Sequence, residues 1–236
     1  MSLLKDTSQG DSDDTMRRLA LDLKAITNSV TEMGELVVNM LEGAVSALVN
    51  SDVELAEEVR DKYDRVAFLE TLIEEEALRI LILYQPMASD MRFTATALKL
   101  ITYLERIGKY SKNIAKAAIY LKDRPTTYHM DDVFAMCGVA VNMVKGVVNA
   151  FESRNIEGLE KYPEWDDELD HYRVSVIDEN VKRMHDDPSS VEACTYYISV
   201  AKYLERVGDN ACKVAEKIIY MVSGRRIEVS GDSGTL

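Results

Sequence analysis

The sequence contains an internal repeat of about 100 residues, and this repeat limits the folds that the chain can adopt. Tyr103–Lys109 (YLERIGK) and Tyr203–Asp209 (YLERVGD) lie 100 residues apart and differ at two of seven positions. A second match, at a spacing of 103 residues, joins Val38–Gly43 (VNMLEG) to Val141–Gly146 (VNMVKG). Self-similarity at a fixed spacing marks a structural unit that is used more than once. We therefore predict two similar halves.

Each half has the pattern of three long helices. Apolar residues recur at helical spacing, and no segment alternates apolar and polar residues as a half-buried strand would. Short connections between long amphipathic helices favour antiparallel neighbours. We predict an all-α fold of two pseudo-symmetric three-helix bundles, built from six long antiparallel helices. The helices are expected at about Met16–Leu48, Val53–Tyr84, Pro86–Leu121, Asp131–Glu152, Ile156–Met184 and Pro188–Val222.

The domain boundaries follow from the repeat and from the polar segments around it. The prediction is a disordered N-terminus (residues 1–14), a first repeat (15–122), a second repeat (128–222) and a flexible tail (223–236). Because the spacing changes from 103 to 100 residues, the first half carries three extra residues before its third helix. These extra residues include part of the turn Gln85–Asp90.

Charge and composition exclude several functions. The formal net charge is −13, which argues against a nucleic-acid partner because such partners require a basic surface. The charge is compatible with cation binding, but it also serves solubility alone. Three cysteines without a CxxC pair fit a reducing compartment. The sequence shows no signal peptide pattern and no run of 18 to 20 apolar residues. We therefore predict a cytoplasmic protein without membrane insertion.

Four carboxylates of the second half are spaced to share helix faces. Asp166 and Asp170 are four residues apart on the fifth helix, as are Glu205 and Asp209 on the sixth. Side-by-side packing of these helices would bring the four carboxylates to one surface patch. Carboxylate oxygens suit Mg, Ca, Mn, Fe or Zn, so these residues are the candidate metal ligands. A solvated acidic helix face is the simpler interpretation that spacing leaves open.

The first half changes three of the four equivalent positions. Repeat alignment places Tyr63, Ala67, Glu105 and Lys109 there, so only one carboxylate remains. The Lys109 ammonium group is available to pair with Glu105. We therefore predict that the first repeat is metal-free and that any metal site belongs to the second repeat.

The sequence indicates no catalytic residues. Its three histidines lack the HxxxH or ExxH spacing of di-metal helical bundles, and P-loop, GxGxxG and GxSxG motifs are absent. We predict a protein that is not an enzyme. The alternative is a metal-dependent enzyme or a metal-storage helical bundle.

Three motifs together resemble the PhoU family. They are Gln85–Arg92 (QPMASDMR), Leu104–Gly108 (LERIG) and Leu204–Asp209 (LERVGD), and the resemblance extends from about residue 16 to 222. It implies two pseudo-symmetric three-helix bundles and a cytoplasmic accessory protein that represses the phosphate-starvation response and restrains phosphate uptake. The implied partners are the ATPase of the phosphate ABC transporter and a sensor histidine kinase. The resemblance also implies a homodimer or larger assembly.

The resemblance has an implication for metals as well. Some family members bind multinuclear iron or zinc clusters through paired E(D)xxxD motifs. In this chain the motif is kept only at Asp166/Asp170 and Glu205/Asp209. The resemblance therefore implies at most one cluster, of iron, zinc or manganese, on the second repeat.

Overall fold

The fold is all-α, as the sequence predicts. The protein is described by a computed structural model that covers residues 6–123 and 130–229. Within these ranges there are six α-helices and two short 3-10 turns, Leu159–Lys161 and Pro188–Ser190, and no strand. The α-helices are α1 (Asp6–Asn50), α2 (Val53–Tyr84), α3 (Ala88–Leu121), α4 (Asp131–Ser153), α5 (Tyr162–Asp186) and α6 (Val191–Ser223).

Local signals mark several helix ends. The Asp52 side chain accepts a hydrogen bond from the Leu55 N–H at 3.0 Å and so caps α2. Gly224 ends α6 in the left-handed region at φ 71°, and its N–H donates to the Tyr220 carbonyl. Pro163 lies in the first turn of α5, where the missing N–H costs nothing. These ends fix the levels at which residues of neighbouring helices meet.

Three boundaries differ from the prediction. Helix α1 begins at Asp6 instead of near Met16, so residues 6–14 are helical where a disordered segment was expected. No proline interrupts this stretch, and an acidic residue suits the positive end of the helix dipole. Helix α5 begins at Tyr162, after a 3-10 turn, instead of near Ile156. The joint at 124–127 lies outside the described residues.

The tail is the third difference. Residues 225–229 have no regular secondary structure, but they pack against the second repeat. The Val229 side chain is buried, and its N–H donates to Glu216 Oε1 at 3.4 Å. The segment that was predicted as a flexible tail therefore packs against the second repeat as far as Val229, and residues 230–236 lie outside the described part.

The two halves pack together through two antiparallel helix pairs. Within the halves, α1, α2 and α3 contact one another, as do α4, α5 and α6; between them, α3 packs on α6 and α1 on α4. The Tyr110 ring stacks on Tyr203, with centroids 5.8 Å apart, while Tyr120 nearer the end of α3 stacks on Tyr196 nearer the start of α6. The buried apolar residues of both halves form one continuous core.

Equivalent residues of the two repeats make equivalent contacts. Gly108 of α3 faces Val66 of α2, and Gly208 of α6 faces Leu169 of α5, which reproduces both sequence spacings. One equivalent pair meets across the pseudo-twofold axis, where Lys145 Nζ lies 2.9 Å from Glu42 Oε1. The same position therefore carries opposite charges in the two repeats. This ion pair favours packing of the first repeat on the second. If a repeat packed on a copy of itself instead, two like charges would meet at this position.

Helix α4 is the most apolar of the six described α-helices. An 18-residue window within it has a mean hydropathy of 1.6, which is sufficient by length and composition for a membrane span. The sequence analysis had predicted no segment that is apolar enough to span a membrane. However, 56% of this window is buried inside the protein, where α4 packs against α1, α5 and α6. A core helix of a helical bundle has the same properties.

The close approach of α1 and α4 gives a testable prediction. A side chain at Gly34 would overlap the Val148 side chain of α4, whereas nothing lies within 4 Å of a side chain added at Gly138. Both glycines are inside helices, so alanine gains about 1 kcal/mol of helix propensity at each. Overpacking costs about 1–3 kcal/mol and applies only at Gly34. We expect Gly34→Ala to be less stable than Gly138→Ala by that amount in urea unfolding; equal stability would contradict the packing.

Candidate functional site

The four predicted metal ligands lie in the region where α5 packs on α6, and their exposure differs. Asp166 is buried at 6% exposure, whereas Asp209 is exposed and Asp170 and Glu205 are partly buried. The site is therefore not the purely surface patch that spacing suggested. Gly208 creates space here, because a side chain on it would lie 3.7 Å from Asp166 Oδ1 and overlap Leu169.

Arg173 is part of this cluster, and the sequence reading missed it. Its Nε atom lies 3.5 Å from Asp170 Oδ1 and 3.7 Å from Glu205 Oε1, so one guanidinium group bridges α5 and α6. This Nε is buried and has no hydrogen-bond partner of good geometry among the described residues. The available signal was the spacing of three residues from Asp170, which places both side chains on one face of α5.

The electrostatics of the cluster reflect a crowd of acids. Burial, and then the charge of Asp209, raises the pKa of Glu205. Although Asp209 is exposed as a residue, the protein around its carboxyl group excludes part of the water, and this desolvation, followed by the charge of Asp170, raises the pKa of Asp209. The Arg173 charge acts in the opposite direction on both groups. The cluster therefore favours an additional positive charge, because a cation lowers the repulsion between carboxylates.

Cys212 lies beside the buried end of the cluster. Burial, followed by the charge of Asp166, raises the pKa of the Cys212 thiol. The thiol therefore stays protonated at neutral pH, and a thiolate is the form that binds metals. The ligand chemistry of the site is that of carboxylate oxygens.

The donor chemistry suits a hard cation, but the arrangement is not that of a finished metal site. Among residues 6–123 and 130–229, no group of three or more His, Cys, Asp or Glu side chains is placed to hold a metal ion. The Arg173 guanidinium instead supplies positive charge between Asp170 and Glu205. A metal ion would need this side chain to move aside or to share the carboxylates.

The first repeat resolves the same position differently. The Tyr63 hydroxyl donates a short hydrogen bond to Glu105 Oε1, and the Lys112 ammonium group lies 4.2 Å from the centroid of the Tyr63 ring. Burial, and then the bond to Glu105, raises the pKa of the Tyr63 phenol to about 12. Lys109, which the sequence made available to pair with Glu105, forms no ion pair with it in the described part of the chain. Tyr63 is the partner instead.

Comparison with known proteins identifies the family. The PhoU domain family model matches the chain twice, over residues 30–118 and 133–218, with one match in each repeat. The chain belongs to the PhoU family. The phosphate-specific transport system accessory protein PhoU homolog of Rhizobium meliloti is 33% identical over 204 residues, which are 86% of either chain. The homolog of Caulobacter vibrioides is 31% identical over 90% of this chain and 93% of its own.

Solved PhoU structures have the same fold. The crystal structure of PhoU from Pseudomonas aeruginosa superposes with a TM-score of 0.84 at 30% identity, and covers 87% of this chain and 99% of its own. The phosphate transport system regulatory protein PhoU from Streptococcus pneumoniae superposes with a TM-score of 0.82 at 26% identity, covering 89% and 99%. Both repeats and their relative arrangement are therefore shared with PhoU proteins.

The acidic side of the first repeat gives a pH prediction. Glu70 stands at the position equivalent to Arg173, and burial, followed by the charges of Glu105 and Glu74, raises its pKa. A carboxyl group whose pKa is raised by folding stabilises the protein while it is protonated, and loses this contribution as the pH rises through its folded pKa. We expect Glu70→Gln to be more stable than the wild type at pH 7.

The gain should disappear as the pH falls toward the ordinary carboxyl range near 4. Urea unfolding between pH 4 and pH 8 measures it, and Glu75→Gln, at an exposed glutamate on the same helix, is the control. A gain that is equal for both variants, or that grows toward low pH, would contradict the assignment.

Proposed function

We propose that this PhoU-family protein is a cytoplasmic, non-enzymatic negative regulator of phosphate uptake and phosphate-starvation signalling. It acts by docking onto the ATPase of the phosphate ABC transporter, onto a sensor kinase, or onto both. The observation that carries the proposal is the match of both repeats to the PhoU domain. Relatives over 86% and 90% of the chain are named as accessory proteins of the phosphate-specific transport system.

The turn between α2 and α3 is the proposed docking surface for the transporter ATPase. Four large apolar side chains within ten residues point into solvent, with exposures of 74% for Ile82, 62% for Leu83, 83% for Met87 and 46% for Met91. Exposed apolar groups at this density mark protein interaction sites more often than ordinary surface. Methionine suits such a surface because its side chain adapts to a partner. The three extra residues of the first repeat lie here, and the equivalent connection of the second repeat, between α5 and α6, is the 3-10 turn Pro188–Ser190.

A metal ion on the second repeat is a further part of the proposal. Asp166, Asp170, Glu205 and Asp209 would hold iron, zinc or manganese, which would neutralise the repulsion that raises the pKa values of the last two. The ion's role would be to order the α5–α6 surface and not to carry out a reaction. Arg173 competes with it for Asp170 and Glu205. The proposal leaves the first repeat without metal, because its equivalent residues are a tyrosine, an alanine, a glutamate and a lysine.

The proposal also includes a homodimer, which light scattering coupled to size-exclusion chromatography measures directly. The ion pair between Glu42 and Lys145 joins the two repeats of one chain. A second copy would therefore bind at another surface. If that surface were the α2–α3 turn, dimerisation and transporter binding would exclude each other.

A charge placed in the α2–α3 turn should abolish docking. We expect Ile82→Lys/Met87→Lys to weaken binding to the detergent-purified phosphate transporter at least tenfold in biolayer interferometry. In a deletion strain the same variant should fail to repress a phosphate-starvation reporter. The reason is that two buried ammonium groups would have to be desolvated in the complex.

The matched control for this experiment is Val174→Lys/Val181→Lys on α5, where the valines are 47% and 54% exposed. This variant should bind and repress like the wild type. Wild-type binding by the turn variant would remove the turn as the docking surface. Absence of wild-type binding, together with normal regulation in the deletion strain, would overturn the proposed function.

The metal proposal predicts three different behaviours for three proteins. Purified without chelator or nickel and supplied with iron, zinc and manganese, the wild type should hold at least one of these ions per chain by mass spectrometry. Glu205→Ala/Asp209→Ala should hold none. Arg173→Ala should bind the ions more tightly, because its competing charge is gone.

Thermal unfolding in EDTA provides the second readout. Arg173→Ala should then unfold at a lower temperature than the wild type, since Asp170 and Glu205 lose their neutralising partner, and added metal should restore the difference. Lys182→Ala, at an exposed lysine on the same helix, is the control. Metal-free wild type, with an Arg173→Ala variant that metal does not rescue, would show that the guanidinium alone neutralises the cluster.

A further inference from the structure

A cavity of about 540 Å³ lies at one end of the seam between α3 and α6. Its walls come from the third and fourth turns of α3, the last turns of α6 and the tail segment that follows α6. The lining residues are Ala95, Thr96, Lys99, Glu216, Lys217, Tyr220, Arg226, Ile227 and Glu228. None of these residues belongs to the carboxylate cluster or to the α2–α3 turn.

The cavity differs from the rest of this acidic chain in its charge. Three cationic side chains, Lys99, Lys217 and Arg226, line it together with two acidic ones. The buried Glu216 is already neutralised, because Lys213 Nζ lies 2.9 Å from its Oε1 and Lys217 Nζ lies 3.5 Å from its Oε2. Three cations against two carboxylates give the lining a net positive charge. Lys213, just outside the lining, adds a fourth cation beside Glu216. The formal charge of the whole protein, by contrast, is −13.

The other end of the same seam shows what the cavity replaces. There Tyr196 stacks on Tyr120, with ring centroids 4.3 Å apart and an interplanar angle of 25°. The equivalents at the cavity end, 100 residues away in each case, are Thr96 and Tyr220. Tyr220 therefore keeps its ring, but a threonine stands where the stacking tyrosine would be. The volume of that missing ring is open.

Two cations distinguish the cavity end in the same way. Lys99 corresponds to Ser199, and Lys217 corresponds to Ala117. The exchange of one aromatic side chain for a small one thus coincides with the gain of two ammonium groups at the same place. Packing alone requires neither lysine, because the equivalent end of the seam is built with serine and alanine.

The tail completes the cavity. The Arg226 guanidinium lies 5.5 Å from the centroid of the Tyr220 ring, in the range of a cation–π contact. The tail is held by Val229, whose side chain is buried and whose N–H donates to Glu216 Oε1 at 3.4 Å. Glu216 thus links the tail segment to Lys213 and Lys217 of α6.

We propose that this cavity binds a phosphorylated small molecule of about nucleotide size. Its volume lies within the range of about 300–1,000 Å³ that is typical of small-molecule sites. Lys99, Lys217 and Arg226 supply the charge-assisted donors that phosphate groups require, and Ala95 and Ile227 supply apolar contact for the rest of the ligand. Inorganic phosphate alone would leave most of the volume unfilled. The inference goes beyond the proposed function and does not depend on transporter docking.

Isothermal titration calorimetry of the full chain at low salt tests the proposal, with AMP, ADP, glucose 6-phosphate, inorganic phosphate and adenosine as the probes. We expect AMP or ADP to bind at least tenfold more tightly than inorganic phosphate. Adenosine should bind at least tenfold more weakly than AMP, because it lacks the charged group. Affinity for the phosphorylated probes should fall as salt is added. Tighter binding of glucose 6-phosphate than of AMP would keep the phosphate-binding role and assign the apolar part of the cavity to a sugar.

Two variants taken from the equivalent end of the seam locate the site. Thr96→Tyr should fill the cavity, and Lys99→Ser should remove a cation at an exposed position; each should weaken AMP binding at least tenfold. Lys202→Ser, at an exposed lysine of α6 outside the lining, should leave it unchanged. Circular dichroism checks that each variant is folded, and Lys99→Ser carries the test if Thr96→Tyr is not. No binding of any phosphorylated probe at millimolar concentration, or unchanged affinity in Lys99→Ser, would overturn the proposal.

Discussion

The antiparallel packing of α3 on α6 is the contact on which the rest of the structure depends. It joins the two repeats along a seam of aromatic stacks, such as Tyr110 on Tyr203, and it makes two three-helix units share one apolar core. Helix α3 also packs on α1 and α2, and α6 on α4 and α5. Every candidate site on the described surface is therefore positioned, directly or through one neighbour, by this pair of helices.

Pseudo-symmetry makes departures from the repeat informative. Two equivalent sites start from the same backbone, so a difference between them reflects the side chains and not the fold. On the α2–α3 side the central group is Glu105 with the Tyr63 phenol, and on the α5–α6 side it is a crowd of acids with Arg173. At the ends of the seam, a tyrosine stack stands opposite a cationic cavity. Each asymmetry places charged side chains where packing alone does not require them.

Much of the fold could be predicted from residues close together in sequence. The bounds of α2 and the end of α3 agree with the prediction, because caps and prolines act within one helical turn. The pairing of Gly108 with Val66, and of Gly208 with Leu169, follows the two repeat spacings. The start of α1 and the packed tail did not follow from such signals. At the start of α1, a polar segment has no local feature that separates a solvated helix from a disordered chain. The tail is held by the contact of Val229 with Glu216, which joins residues that are 13 positions apart and forms only in the tertiary structure.

The sequence by itself determined the repeat, the helical class and the two faces on which the four carboxylates stand, because a 3.6-residue period and a repeated motif are properties of the chain. Only the tertiary structure decided that Asp166 is buried, that Arg173 lies between Asp170 and Glu205, and that Thr96 leaves a cavity beside Tyr220. These outcomes depend on the rotation and level of one helix against another. Small residues such as Gly208 and the summed packing of the whole core set that geometry, and no single stretch of sequence contains it.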